Sequence, residues 1–93
     1  MTLLKNDEIK DGLSSLTGWN REGKQITKQF ELKDFKTALS FVNKVGEKAE
    51  EMDHHPDIFI HSWNKVKITI STHSEGGLTK KDFQLAEIIQ KLI

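Results

Sequence analysis

The stretch DIFIHSWNKVKITIST, residues 57–72, alternates apolar and polar side chains in two runs separated by a short connection. In the second run Val66, Ile68 and Ile70 fall on one face, and their polar neighbours fall on the other. Strict alternation of this kind is typical of a strand with one buried face. Because only the pair at 64–65 separates the two runs, the sequence predicts a β-hairpin.

The region before the hairpin carries the strongest helical pattern, which runs from about Lys33 or Asp34 to about Met52. Its apolar side chains recur at steps of three and four, as they do on one face of a helix. They are Phe35, Ala38, Leu39, Val42, Val45, Ala49 and Met52. Gly46 lies inside the pattern and weakens a helix by roughly 1 kcal/mol relative to alanine. Pro56 ends the region, because the residue before a proline is pushed out of helical geometry.

Three weaker elements precede this helix. Residues 5–16 predict a short helix capped by Asn6 or Asp7, since apolar side chains recur there at spacings of four and three. The segment NREGK, residues 20–24, is typical of a turn. Residues 25–32 alternate again and predict a strand with one solvated face.

After the hairpin, the residues from Thr79 to Asp82 form a capping-box pattern that opens a final helix reaching Leu92. The predicted order is therefore helix, strand, helix, strand, strand, helix within a single domain, residues 1–93. Short connections between alternating strands favour an antiparallel or mixed sheet with helices on one face. The sequence predicts an α+β two-layer domain.

Composition excludes several classes of protein. The 93 residues carry 14 basic and 14 acidic side chains and no cysteine. Disulfides, thiolate nucleophiles and cysteine-ligated zinc are therefore excluded, and no net charge favours nucleic acid or a membrane. No apolar run is long enough to span a bilayer, and the N-terminus lacks a signal-peptide pattern. We expect a cytoplasmic protein without direct nucleic-acid or membrane partners.

Histidines are the candidates for chemistry, and the chain has four of them: His54, His55, His61 and His73. A purely structural interpretation is strong for the first two, because cations near a helix C-terminus interact well with its dipole and proline often follows a helix end. The functional interpretation takes the histidines as a set, since histidine exchanges protons near neutrality. A histidine–carboxylate metal site is the competing hypothesis. Against it, adjacent histidines point in different directions, whereas metal-binding helices usually space them by three or four.

An ordered set of residues carries a more specific signal than the histidines alone. It comprises an acidic residue, a His-His-Pro corner, an aromatic residue, a histidine and an aspartate: Glu50, His54-His55-Pro56, Trp63, His73 and Asp82. With these spacings, and with the flanking segments ITISTH and GGLTKKD, the chain resembles the pterin-4a-carbinolamine dehydratases over nearly its whole length. Vertebrate members of that family also serve as a dimerisation cofactor of a homeodomain transcription factor. Trp63 stands where tyrosine is more familiar in the family.

The resemblance implies a fold and an activity. The fold is a two-layer α+β sandwich, a four-stranded antiparallel sheet with helices on one face, in which Trp19 starts a short strand or its edge. The activity is that of a hydro-lyase that removes water from a 4a-hydroxytetrahydropterin to give a quinonoid dihydropterin, without a metal or an organic cofactor. The step belongs to tetrahydropterin recycling. The resemblance also implies a homodimer or a homotetramer.

The resemblance further assigns roles to individual residues. His54 and His73 are the expected acid–base pair, and His55 is expected to position the substrate. Pro56 and Trp63 are expected to have structural roles, and the remaining histidine lies outside the matched positions. The expected pterin contacts are Glu50, Asp53, Thr72, Trp19 and Asp82.

Several alternatives stay open at this point. Trp19 fits an ordinary core residue as well as it fits a pterin contact, and Asp82 fits a helix cap. The chain as a whole also fits a non-catalytic binding or dimerisation module of the same fold, or an enzyme that acts on a different pterin.

Overall fold

The computed structural model describes residues 2–93, in which three helices and four strands alternate. In chain order they are α1 (Asn6–Ser14), β1 (Asn20–Glu22), β2 (Gln25–Glu31), α2 (Phe35–Met52), β3 (Asp57–His61), β4 (Lys65–Ile70) and α3 (Lys80–Gln90). A single 3₁₀ turn (His73–Glu75) lies between β4 and α3.

The four strands form one antiparallel sheet in the order β1-β2-β4-β3. The predicted hairpin is confirmed, with Ile58 opposite Ile68 and Ile60 opposite Val66. Its first strand is shorter than predicted, because it ends at His61 and the chain turns through residues 62–64. The turn is tight enough that two of its residues, Ser62 and Trp63, adopt left-handed backbone angles (φ 50° and 55°).

The helices cover one face of the sheet, which confirms the predicted α+β two-layer architecture. The alternating residues of β2 and β4 that face the helices are buried: Ile26, Phe30, Val66, Ile68 and Ile70. The helices supply the other half of the core with Ile9 from α1, Ala38, Phe41 and Val45 from α2, and Leu85, Ala86 and Ile89 from α3. Phe30 and Phe41 meet across the two layers with ring centroids 4.9 Å apart. Burying these apolar surfaces is the main term that favours the folded chain.

Two local predictions were wrong. The segment read as a turn at 20–24 contains the strand β1, whose three residues are all exposed and so carry no alternating pattern. The cap of α1 is Lys5 and not Asn6 or Asp7, because the Glu8 carboxylate accepts the backbone N–H of Lys5 at 2.8 Å. Trp19 immediately precedes β1, as the resemblance suggested.

An aspartate caps each end of the helix α2. Asp34 is the N-cap, and its carboxylate accepts the backbone N–H of Thr37 at 2.8 Å. Asp53 is the C-cap in a left-handed conformation (φ 51°), which aspartate tolerates better than most residues. The predicted boundaries are thereby confirmed within two residues.

The second face of the sheet is open. Phe59 on β3 is 59% exposed on this face and stacks on His61, with ring centroids 5.0 Å apart. The Nε2 of His61 lies 2.7 Å from Oε1 of Gln29, a residue of β2. The edge of β3 remote from β4 pairs with no other strand of residues 2–93.

Candidate active site

The site begins where α2 ends. The backbone N–H of His54 donates to the carbonyl of Ala49 at 3.0 Å, which closes the last turn in the manner of a Schellman cap. The left-handed Asp53 then redirects the chain, and Pro56 keeps it extended. This corner separates the two adjacent histidines: His54 is buried, and His55 is exposed.

His54 forms a buried pair with Asp82, whose side chain comes from the first turn of α3. The His54 Nε2 lies 2.7 Å from Asp82 Oδ1, and Asp82 is fully buried. The second oxygen, Oδ2, accepts the Thr72 hydroxyl and the Thr79 backbone N–H, both at 2.8 Å. The hydroxyl oxygens of Thr72 and Thr79 are also 2.8 Å apart. Within residues 2–93 no buried side-chain polar atom lacks a hydrogen-bond partner.

This arrangement distinguishes the two ring nitrogens of His54. An ionised carboxylate can only accept hydrogen bonds, and the donors around Asp82 fit that form. Opposite an ionised Asp82, the hydrogen of His54 belongs on Nε2, which leaves Nδ1 as the nitrogen without it. Asp82 is at once the third residue of α3, where it completes the capping box, and the group that contacts the imidazole.

The two other candidate histidines are more exposed. The His55 Nε2 lies 3.0 Å from Oε2 of Glu50, and both side chains are more than half exposed, so this pair contributes little stability. His73 is exposed and starts the 3₁₀ turn directly after the buried Thr72. Backbone hydrogen bonds between Thr72 and Gly77, at 2.8 and 3.3 Å, close the loop that carries His73.

A cavity of about 260 Å³ lies beside His73. Its lining comes from the β1–β2 turn and the start of β2, the end of β4 and the loop that follows: Lys24, Gln25, Ser71 to His73, Gly76 and Gly77. Sequence reasoning missed Lys24, because only the pairing of β1 with β2 and of β2 with β4 brings this turn to the His73 loop. No local pattern at residue 24 signals that contact.

The structure brings most of the expected residues together and separates others. Asp82 contacts both His54 and Thr72, Glu50 contacts His55, and Asp53 forms the corner between α2 and the two histidines. Pro56 is half-buried at that corner, in keeping with its expected structural role.

The two tryptophans lie away from this network. Trp19 is 4% exposed, packs edge-on against Phe30, and donates its indole N–H to Gln90 at 3.1 Å. Because Gln90 lies roughly two helical turns beyond Asp82 on α3, Trp19 is a core residue at the opposite end of that helix. Trp63 lies on the β3–β4 turn and is 61% exposed.

Two further observations concern the described part of the chain. Residues 2–93 contain no group of three or more histidine, aspartate or glutamate side chains placed to hold a metal ion. Over the same residues, no helix has the length and apolar character needed to cross a membrane. The cytoplasmic location stays a prediction.

A buried histidine–aspartate pair at a helix end, on a two-layer α+β fold, is an arrangement that suits proton-transfer chemistry. Comparison with known proteins identifies the family: the model of the pterin 4 alpha carbinolamine dehydratases matches residues 2–92. The chain belongs to this family. The resemblance seen in the sequence is thereby confirmed.

Relatives from distant organisms match over nearly their entire length. A protein of Roseiflexus castenholzii is 50% identical, with 98% of this chain and 97% of the relative covered. One of Sulfolobus acidocaldarius is 45% identical, with 96% and 97% covered. Both relatives are provisionally named pterin-4-alpha-carbinolamine dehydratases.

Solved structures agree with the fold. The crystal structure of a transcriptional coactivator/pterin dehydratase from Brucella melitensis has a TM-score of 0.93 and 35% identity, covering 98% of both chains. A pterin dehydratase-like protein identified as a RuBisCO assembly factor in the alpha-carboxysome has a TM-score of 0.67 and 22% identity, covering 81% of this chain and 88% of its own. The second likeness concerns the fold alone. Family membership places the chain among the pterin dehydratases, a class of hydro-lyases.

Proposed function

We propose that the protein removes water from a 4a-hydroxytetrahydropterin and releases a quinonoid dihydropterin, by histidine general acid–base catalysis and in support of tetrahydropterin recycling. The observation that carries this proposal is the buried contact of His54 with Asp82, which holds an imidazole with one nitrogen available. Family membership supports the reaction class.

The reaction needs two proton transfers and no redox partner. One group gives a proton to the 4a-hydroxyl, and the C–O bond breaks with loss of water. Another group takes the proton from the adjacent ring nitrogen, whose electron pair forms the new C=N bond. One proton enters and one leaves, so the elimination is balanced without a nucleophile, a metal or an organic cofactor. Positioned acid–base groups typically contribute about 10²–10⁴-fold to such a step.

His54 and His73 are the proposed acid–base pair. His54 is the member held by a buried carboxylate, and His73 lies next to Thr72, which bonds the same carboxylate. His55 is exposed and paired with Glu50, a placement that suits substrate binding better than buried proton transfer. Asp53 is exposed at the corner that follows α2 and is a proposed pterin contact.

The test is the dehydration rate of a 4a-hydroxytetrahydropterin, followed by ultraviolet absorbance against a protein-free control. We expect His54→Ala and His73→Ala each to lower the catalysed rate by about 10²–10⁴-fold. His61→Ala is the matched control, because His61 lies on the open sheet face. Wild-type rates in both site variants would refute the catalytic assignment. A folded wild type without activity on this substrate would instead favour a binding module or a different pterin.

We also propose that the protein is a homodimer, or a tetramer built from such dimers, joined through the edge of β3. The strand DIFIH is self-complementary in an antiparallel pairing centred on Phe59. Asp57 of one copy then lies opposite His61 of the other, and Ile58 lies opposite Ile60. An unpaired strand edge with an exposed phenylalanine is a ready surface for such pairing.

A further inference from the structure

The residues that line the cavity beside His73 carry a net positive charge, although the chain as a whole is neutral. Its lining contains one fixed cation, Lys24, and no carboxylate, although acidic and basic residues are equal in number overall. Glu75, on the same loop, is exposed and is not among the lining residues. The Asp82 carboxylate contacts the lining residue Thr72, is fully buried, and has both oxygens engaged. The one fixed charge among the lining residues is therefore positive.

Lys24 is not neutralised by a neighbour. Among the ion pairs of residues 2–93 none includes Lys24, and the acidic residue closest to it in sequence, Glu22, pairs instead with Lys67 at 3.9 Å. An ammonium group without a protein carboxylate is available to an anionic group of a ligand.

The turn that carries Lys24 is held in place. The Arg21 side chain donates from Nε to the carbonyl of Gly23 at 2.8 Å and from Nη1 to the Asn6 side chain at 2.9 Å. Gly23 itself has a left-handed backbone (φ 62°), which glycine adopts without strain. These contacts hold the turn, and Lys24 lines the cavity from it.

The size of the cavity indicates how much of a ligand it takes. At about 260 Å³ it lies below the roughly 300–1,000 Å³ typical of pockets that enclose a whole drug-sized ligand. Such a cavity suits a substituent of the ligand rather than the entire molecule.

We propose that this cavity receives the side chain of the pterin, and that Lys24 selects pterins whose side chain ends in an anionic group, a carboxylate or a phosphate. This inference rests on the proposed function, because it takes His73 as a member of the pterin site. It adds a specificity-determining residue and a substrate class, namely anionic pterins, to that function.

The first test is equilibrium binding, which does not depend on catalysis. Stable dihydropterins with the same ring and a neutral hydroxyalkyl, a carboxylate or a phosphate side chain are titrated into the wild type, Lys24→Gln and Lys10→Gln by calorimetry. Lys10 is a matched control, since it is an exposed lysine on α1. We expect at least one anionic ligand to bind the wild type and the control roughly three- to tenfold more tightly than the neutral one.

Lys24→Gln is expected to abolish that preference, and added salt is expected to weaken it in the wild type. The anionic ligand with the larger preference identifies the group. Equal binding of neutral and anionic ligands to the wild type, or a preference that survives in Lys24→Gln, would overturn the proposal.

The second test separates this inference from the proposed function. With neutral and anionic 4a-hydroxytetrahydropterins as substrates, Lys24→Gln is expected to raise KM for the anionic substrate more than for the neutral one. If the wild type dehydrates neither substrate, the proposed function fails, while the binding titration still decides whether Lys24 selects anions. If it dehydrates the neutral substrate but shows no anionic preference in KM or binding, only the Lys24 proposal fails.

Discussion

Asp82 caps a helix and contacts a candidate catalytic histidine with the same carboxylate. As the third residue of α3 it accepts the N-cap backbone N–H, and with its other oxygen it contacts His54. The capping-box pattern predicts the first role from the sequence. The second depends on a contact across 28 positions of the chain, which no spacing rule supplies.

Replacement of Asp82 by asparagine tests the orientation of His54. An amide that keeps its oxygen on Thr72 and Thr79 must direct its NH₂ group at His54 Nε2, which then becomes an acceptor. We expect the imidazole hydrogen to move to Nδ1, visible in nitrogen NMR shifts, and kcat to fall at least tenfold. The free energy of unfolding should fall by about 1–3 kcal/mol, because buried donors lose an ionised acceptor.

An exposed aspartate of α1 provides the control for this substitution. Asp7→Asn should leave the His54 NMR signals and kcat unchanged. An Asp82→Asn protein that keeps the hydrogen on Nε2 and full activity would contradict the orienting role.

Asp34 gives a pH-dependent prediction at the same scale. Hydrogen bonds from the Thr37 side chain and then from its backbone N–H hold the pKa of Asp34 below its ordinary value of 3.8. A carboxyl with a lowered folded-state pKa stabilises the fold above the unfolded-state pKa, and this stabilisation is lost as pH falls through the folded-state pKa. Wild type should therefore exceed Asp34→Asn in stability near neutrality, and the difference should shrink below about pH 4.

Urea unfolding of the two proteins between about pH 7 and about pH 2 measures this difference. Asparagine also caps helices well, so the comparison isolates the charge from the cap. A difference that stays constant over the whole range would exclude titration of Asp34 as its source.

At the scale of the elements, α2 organises the fold. Four of its residues are buried, namely Ala38, Phe41, Val45 and Ala49, whereas Phe35 and Leu39 of the predicted stripe are exposed. Its C-terminal corner separates the two histidines, so one helix serves both the core and the candidate site. Both its boundaries were predictable, because an N-cap aspartate and a following proline are local signals. The strand β1 was not predictable, because it has no such local signal. Its pairing with β2 depends on backbone contacts and not on a buried side-chain pattern.

Replacement by alanine is expected to have opposite effects on stability at two helical glycines. A methyl group at Gly46 on α2 meets no atom within 4 Å, whereas one at Gly12 on α1 would lie 2.6 Å from the Phe83 ring. Gly46→Ala should raise the free energy of unfolding by roughly 0.5–1 kcal/mol, because alanine loses less backbone entropy in a helix. Gly12→Ala should lower it, because the phenylalanine must move to relieve the overlap.

Denaturant titrations of both variants measure the two changes. If both substitutions raise the free energy of unfolding, helix propensity alone governs the two positions. If both lower it, packing alone governs them.

At the scale of the whole molecule, an unpaired edge at β3 and an open sheet face remain after folding. We predict that Phe59→Lys converts the proposed homodimer to a monomer, because it removes the apolar contact at the proposed two-fold axis and places like charges opposite each other. Light scattering coupled to size-exclusion chromatography measures the change. Phe35→Lys, on the exposed start of α2, is matched in exposure.

The pair of variants separates two modes of association. If Phe35→Lys disrupts the assembly and Phe59→Lys does not, the subunits join through α2 and the β3 proposal is wrong. A wild type that is monomeric at all concentrations would exclude association through β3 and association through α2.

The sequence predicted the two-layer architecture because the alternation in 25–32 and 57–72 and the helical stripe of α2 are local consequences of one buried face. It predicted the site only through the ordered motif. The positions of the individual groups depend on the tertiary fold: Trp19 is at the far end of α3, and Lys24 enters from a turn that the sequence alone does not connect to His73.

The two tryptophans occupy opposite environments, one sealed beside Phe30 and one exposed on the turn next to the β3 edge. Their intrinsic fluorescence therefore contains two separate signals. Emission from Trp19 should shift to the red only when the core opens, while emission from Trp63 is red-shifted already and accessible to a soluble quencher. Removing either tryptophan by substitution with phenylalanine would leave a single-emitter protein, one reporting on unfolding and the other on events at the sheet edge.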